Sequence, residues 1–190
     1  MTLKTIAAAA AFAMLGSSAF AQGYVGVGIG ASHACIHYDA TGNCTDAGLT
    51  GKLWVGYGLP GTDFAIEGIY THMDSFKGTS PFGNTDVNVD TLGVGGTWRP
   101  QFGAGWGGVV RGGVAYGKAK TDYTFLQPGT PNTTGHGSTS AAYWQPYVGL
   151  GATYAVTANV RLEADLDLTR IGKHSPTNVN SYMLGATFGF

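Results

Sequence analysis

The chain has 190 residues, with 10 Lys plus Arg against 11 Asp plus Glu and a formal net charge of −1. A balance this even, with no basic stripe, excludes a nucleic-acid binder. Glycine is abundant at 32 residues, aromatics make up 12% and charged residues only 11%, a composition that disfavours long helices.

The first residues read as an export signal. Lys4 supplies the positive start, Ile6 to Leu15 the apolar core, and Ala19-Phe20-Ala21 a small-x-small cleavage site. The apolar run is shorter than the ~20 residues a spanning helix needs, so a membrane anchor is not expected. Cleavage after Ala21 is expected to leave residues 22–190 as one domain starting at Gln22. Losing Lys4 leaves nine basic residues against eleven acidic, a net charge of −2.

Eight strands are expected, at 23–32, 49–58, 63–71, 89–99, 106–118, 142–154, 160–171 and 178–190. Each meets the ~9–11 residues of a tilted membrane strand. The connections alternate in length. Segments 59–62, 100–105 and 155–159 are short; 34–48, 72–88 and 119–141 are long; 172–177 is intermediate.

The strand starting at Val160 shows the pattern most clearly. Val160, Leu162, Ala164, Leu166 and Leu168 are apolar, while Arg161, Glu163, Asp165 and Asp167 between them are charged. Successive strand side chains point to opposite faces, so one face is hydrocarbon and the other charge. The same parity gives an outward apolar set along every strand: Val25, Val27 and Ile29; Leu53, Val55 and Tyr57; Phe64, Ile66 and Tyr70; Leu92, Val94 and Trp98. Trp106, Val110, Val114 and Tyr116 continue it, then Trp144, Val148, Leu150 and Tyr154, and finally Tyr182, Leu184, Ala186, Phe188 and Phe190. No charge interrupts the middle of this set, where Arg or Lys facing lipid would cost about 2–4 kcal/mol. The outward aromatics fall in two bands, one beside the short turns and one nearer the long loops, as amphipathic rings do at two membrane interfaces.

The inward set collects the charge. Lys52, Arg99, Arg111 and Arg161 face Glu67, Glu163, Asp165 and Asp167. Together with the export signal, this pattern predicts an all-β fold: an eight-stranded antiparallel transmembrane barrel in the outer membrane of a Gram-negative cell. Its short turns and both termini are expected in the periplasm. A barrel of eight strands has an interior that side chains just fill. The eight charges are therefore expected to pair as a structural plug, with inward glycines such as Gly26, Gly28 and Gly149 leaving room for them.

Cys35 and Cys44 share the first long loop, and in an oxidising compartment an even cysteine count reads as a disulfide. The alternative is zinc held by His33, Cys35, His37 and Cys44, the first three of which share a face on an extended segment. Gly26-x-Gly28-x-Gly30 brushes against a nucleotide-binding pattern, but no helix follows it, so no cofactor is expected. Loop residues 121–140 are rich in Gly, Thr, Pro, Asn and Ser and read as mobile and exposed. Tyr123 and Phe125 near its start would bind a partner or extend the strands above the membrane. Asn43 and Asn132 match a glycan-acceptor pattern that has little meaning in this compartment.

Four stretches carry a family resemblance: Tyr24-Val25-Gly26-Val27-Gly28, Trp144 to Gly151, Val160-Arg161-Leu162-Glu163, and Ser181 to Phe190. They resemble the small outer-membrane β-barrel family that includes the OmpA transmembrane domain and OmpX-type proteins. The resemblance implies an up-and-down barrel, delivered by periplasmic chaperones and inserted by the barrel assembly machinery. That machinery reads a terminal aromatic, matched here by Phe190. A counterpart of the periplasmic peptidoglycan-binding domain of OmpA-type proteins is not expected. Some barrels of this size are lipid A deacylases using a His-Ser pair and a Glu on the lipid-facing side. His174-Ser175 with Asn178 resembles that site only faintly, since adjacent strand residues face opposite ways and Glu163 reads as inward.

The expected function is therefore non-enzymatic. The barrel would contribute to envelope structure, sit among outer-membrane lipids and lipopolysaccharide, and present loops for adhesion or host contact. A small ion channel is the second reading and a lipid A enzyme the third.

Overall fold

The structure, a computed structural model, describes residues 22–34, 47–80, 83–126, 134–171 and 177–190. Within them lie eight long strands and one three-residue segment: β1 (Gly23–Ala34), β2 (Ala47–Gly58), β3 (Phe64–Ser80), β4 (Gly83–Trp98), β5 (Gln101–Gly103), β6 (Trp106–Leu126), β7 (Thr134–Ala155), β8 (Val160–Ile171) and β9 (Thr177–Gly189). No helix occurs among the described residues. The order β4-β3-β2-β1-β9-β8-β7-β6 is closed by pairing of β4 with β6, and every pairing is antiparallel. The result is a closed eight-stranded barrel with β5 lying in the β4–β6 turn. Closure pairs every strand on both sides within the wall, so no sheet edge is left along the barrel.

Parity holds along the lipid-facing part of the wall. Leu92, Leu184 and Trp144 stand 64%, 68% and 72% exposed on the outside, whereas Lys52, Glu67, Arg111 and Glu163 are buried inside. A soluble protein would not present such a continuous hydrocarbon belt with its charges turned inward. Near the short turns Trp106 and Tyr154 stack at 5.0 Å between ring centroids. At the other interface Tyr116 and Trp144 meet at 5.4 Å.

Two long connections differ from expectation. β3 runs on to Ser80 and β4 starts at Gly83, so most of 72–88 is strand. β6 runs to Leu126 and β7 starts at Thr134, so 121–126 and 134–140 are paired strand rather than mobile loop. The physical reason is pairing across the hairpin. Thr121 lies opposite Thr139 and Tyr123 opposite Gly137, and β-branched and aromatic residues favour such cross-strand positions. The absence of a Cβ at Gly137 lets the Tyr123 ring lie across it. Tyr123 and Phe125 both lie in β6, so the strand does extend through them.

The tight β4–β6 turn uses positive φ at Gly103 and Gly105 and also at Ala104, where φ is 50°. That conformation is uncommon for a residue with a Cβ. The export segment 1–21, both cysteines, His37, His174 and Ser175 lie outside the described residues. The disulfide and zinc readings therefore remain expectations.

Candidate functional site: the lumen and its two ends

The lumen is layered along the barrel axis. At mid-height lies a layer of charge centred on Arg111, which is 1% exposed. Arg111 Nε donates to Glu67 Oε1 at 2.6 Å and Nη1 to Asp165 Oδ1 at 3.0 Å, while Nη2 contacts Glu163 Oε1. Arg99 Nη2 donates to Glu163 Oε2 at 2.6 Å, and Nη1 lies 3.4 Å from Glu67 Oε2. Lys52 Nζ bridges Asp167 at 2.6 Å and Asp165 at 3.2 Å. Three cations thus serve four carboxylates, contributed by β3 and β8.

Neutral groups complete the layer. Tyr24 OH donates to Glu67 Oε2 at 2.9 Å, and Thr187 Oγ1 to Glu163 Oε2 at 3.2 Å. Trp54 Nε1 donates to Thr187 at 3.2 Å. The Trp54 ring lies between two cations, 5.3 Å from Lys52 Nζ and 5.5 Å from the Arg111 guanidinium carbon, and Arg99 sits 4.7 Å from the centre of the Tyr24 ring. Such contacts stabilise desolvated cations. The two rings need space that only glycine provides: a Cβ on Gly26 would run into Trp54 and one on Gly56 into Tyr24. Buried charges are tolerable only when paired and hydrogen-bonded in this way.

Of the eight charges named from sequence, Lys52, Glu67, Arg99, Arg111, Glu163, Asp165 and Asp167 meet in this layer. Arg161 faces inward at the short-turn rim, but makes no salt bridge among the described residues. Phe190 lies beside it at the same rim, with its N–H bonded to Gly23 O at 2.9 Å.

The long-hairpin end of the lumen has different chemistry. Ala34, Met73, Phe76, Val87, Val89, Tyr143 and Val179 form one buried apolar cluster. Sequence reasoning misses this cap because Met73, Phe76 and Val87 fall in a segment expected to be loop. A register shift between Met73 and Phe76 also breaks the period of two, so that Phe76 turns inward and is 0% exposed. Parity carried past the expected strand ends would have found Met73 and Val87, and Val89 falls inside within the expected strand.

Outside the barrel, just above the upper aromatic band, a polar row replaces hydrocarbon. Tyr70 OH donates to Asp90 Oδ1 at 2.7 Å and His72 Nδ1 lies 2.8 Å from the same oxygen. Lys118 lies opposite Asp90 in the register. Farther out, Lys120 pairs with Asp122 at 2.9 Å. This row marks the outer limit of the lipid-facing belt.

Known proteins share this fold. The model of a family described as outer membrane protein beta-barrel domain matches residues 7–190. No curated protein matches the chain at the sequence level. Among solved structures, Neisserial surface protein A is similar with a TM-score of 0.65 and 19% identity, over 89% of this chain and 97% of that one. The attachment invasion locus protein Ail of Yersinia pestis gives 0.57 and 18%, over 89% and 99%. A major outer membrane protein of Thermus thermophilus gives 0.57 and 15%, over 88% and 99%. At these identities the neighbours establish the fold. The family match spans nearly the whole sequence, and the chain belongs to the outer-membrane β-barrel family, as a protein of the bacterial outer membrane.

Proposed function

We propose that this barrel is a non-enzymatic surface-contact protein whose working part is the wall of strands beyond the membrane. The observation that carries this is the continuation of β3, β4, β6 and β7 past the upper aromatic band, in two long paired hairpins. A paired hairpin holds its side chains in fixed positions and offers a rigid surface, which lowers the ordering cost of binding.

The lumen supports the same reading. A charge layer and an apolar cap block it in series, which argues against steady ion conduction. Glu163, the carboxylate a deacylase would need on its lipid-facing side, is buried against Arg111 and Arg99. Of the solved neighbours, Ail is named for attachment and invasion and is also solved with the heparin analogue sucrose octasulfate. A sulfated polymer suits this chain poorly. Among the described side chains beyond the belt, Lys118, Lys120 and Arg170 are matched by Asp74, Asp86, Asp90 and Asp122, so these side chains offer no cationic excess for such a ligand. A protein surface is the better-matched partner. The His72–Asp90–Lys118 row is placed to meet lipopolysaccharide headgroups. Insertion by the barrel assembly machinery through Phe190 belongs to the same proposal.

The test is display of the barrel in a non-adherent bacterium on cultured epithelial monolayers. Replacing 121–140 by a short turn is expected to abolish adherence while heat-modifiable mobility is retained. Equal adherence of the shortened and full barrels would overturn the reading. The lipid A mass spectrum of the same cells is expected to be unchanged by the protein, and a lost or gained acyl chain would revive the enzyme reading.

A further inference from the structure

The short-turn end of the lumen holds a feature that neither the charge layer nor the hairpins use. An open cavity of about 370 Å³ lies there. That is roughly twelve times the ~30 Å³ that one water occupies in the liquid.

Three groups with unmet bonding capacity line it. Arg161 is the lumen cation left over once Lys52, Arg99 and Arg111 have served all four carboxylates, and it makes no salt bridge among the described residues. Asp63, in the exposed β2–β3 turn, has no side-chain ion pair or hydrogen bond among the described residues either. Gln22 Oε1 is buried without a hydrogen-bond partner. Arg161 and Asp63 are opposite charges on one cavity, and they form no salt bridge with each other. The buried ring of Tyr24 supplies apolar wall between the polar groups.

We propose that this mouth binds a small zwitterion of the amino-acid or short-peptide class. Its carboxylate takes the Arg161 guanidinium, a planar fork suited to a carboxylate. Its ammonium takes Asp63, and a peptide N–H donates to Gln22 Oε1. An inorganic anion would satisfy Arg161 alone and leave Asp63 repelling it. The site is independent of the surface-contact reading, because it lies at the opposite end of the barrel from the long hairpins.

The test uses the full mature barrel in lipid nanodiscs, titrated by calorimetry with alanyl-alanine. N-acetylalanine, which keeps the anion only, alaninamide, which keeps the cation only, and inorganic phosphate are run in parallel. Saturable binding of alanyl-alanine is expected, at least tenfold tighter than any of the three. Arg161→Gln should lose tenfold or more, Asp63→Asn severalfold, and Arg161→Lys should keep part of the affinity. Unchanged heat-modifiable mobility verifies that each variant is folded. Absence of saturable binding by alanyl-alanine, or equal binding by Arg161→Gln, overturns the proposal. Phosphate binding as tightly as the dipeptide would make the site a plain anion hole and equally overturn the zwitterion assignment.

Discussion

The lumen is filled at two levels, by opposite chemistries. At mid-height three cations and four carboxylates interlock, with Arg111 touching three acids at once. At the long-hairpin end Met73, Phe76, Val87, Val89 and Val179 fill the same barrel with hydrocarbon. The charge layer depends on complementarity, since deleting one partner strands the others in a low-dielectric interior. The cap depends on volume, since any apolar side chain of the right size restores most of its contacts. One barrel thus shows that filling a lumen is a packing problem at its end and an electrostatic problem at its centre.

Single substitutions should separate the two regions. Arg111→Leu would leave Glu67, Glu163 and Asp165 short of their shared cation and is expected to cost about 3–5 kcal/mol. That loss would be read as a large fall in the unfolding temperature of the detergent-solubilised barrel, with Glu163→Leu falling in the same direction. An unchanged midpoint for both would remove the structural role of the layer. Phe76→Ala in the cap is expected to cost about 3–5 kcal/mol for the cavity it opens. The sharper comparison is Phe76→Leu, which should recover most of that, to within about 1.5 kcal/mol of the parent. No conservative exchange at Arg111, Lys included, should recover as much, because a lysine cannot address three carboxylates with a planar fork. Equal rescue at both positions would erase the distinction between the regions.

Smaller effects follow from the backbone. Gly26→Ala pushes a methyl group into the Trp54 ring and should cost about 1–3 kcal/mol by overpacking, seen as a lower denaturation midpoint. Ala104→Gly relieves a left-handed conformation in the β4–β6 turn and should raise stability by about 1 kcal/mol. A drop in stability there would mean that the turn is not strained.

How much of this can be read from sequence depends on the period of two. Along β8 the alternation from Val160 to Leu168 is unbroken, and it assigns the lumen acids Glu163, Asp165 and Asp167 directly. The same parity puts Lys52, Arg99 and Arg111 inside with them. Which acid meets which base is not legible, because cross-barrel partners depend on strand tilt and stagger. The distal ends of the long strands are hidden for another reason. The segment 134–142 contains Gly, Ser, Thr, His and Ala, a composition shared by loops, and only the facing strand, with Thr121 and Tyr123, turns it into a strand. Phe76 is hidden by the register shift beside it, which no local pattern announces. Arg161 follows parity to the inside but not to a partner, since its position at the rim is set by where β8 begins.

The claim that the charge layer and the apolar cap together block ion flow through the barrel is tested most directly by single-channel recording of the purified, heat-modifiable protein in a planar lipid bilayer. A doubly plugged lumen predicts a flat baseline, free of stepwise conductance at any applied voltage the bilayer withstands. Steady, step-like ion currents from the folded barrel would contradict it.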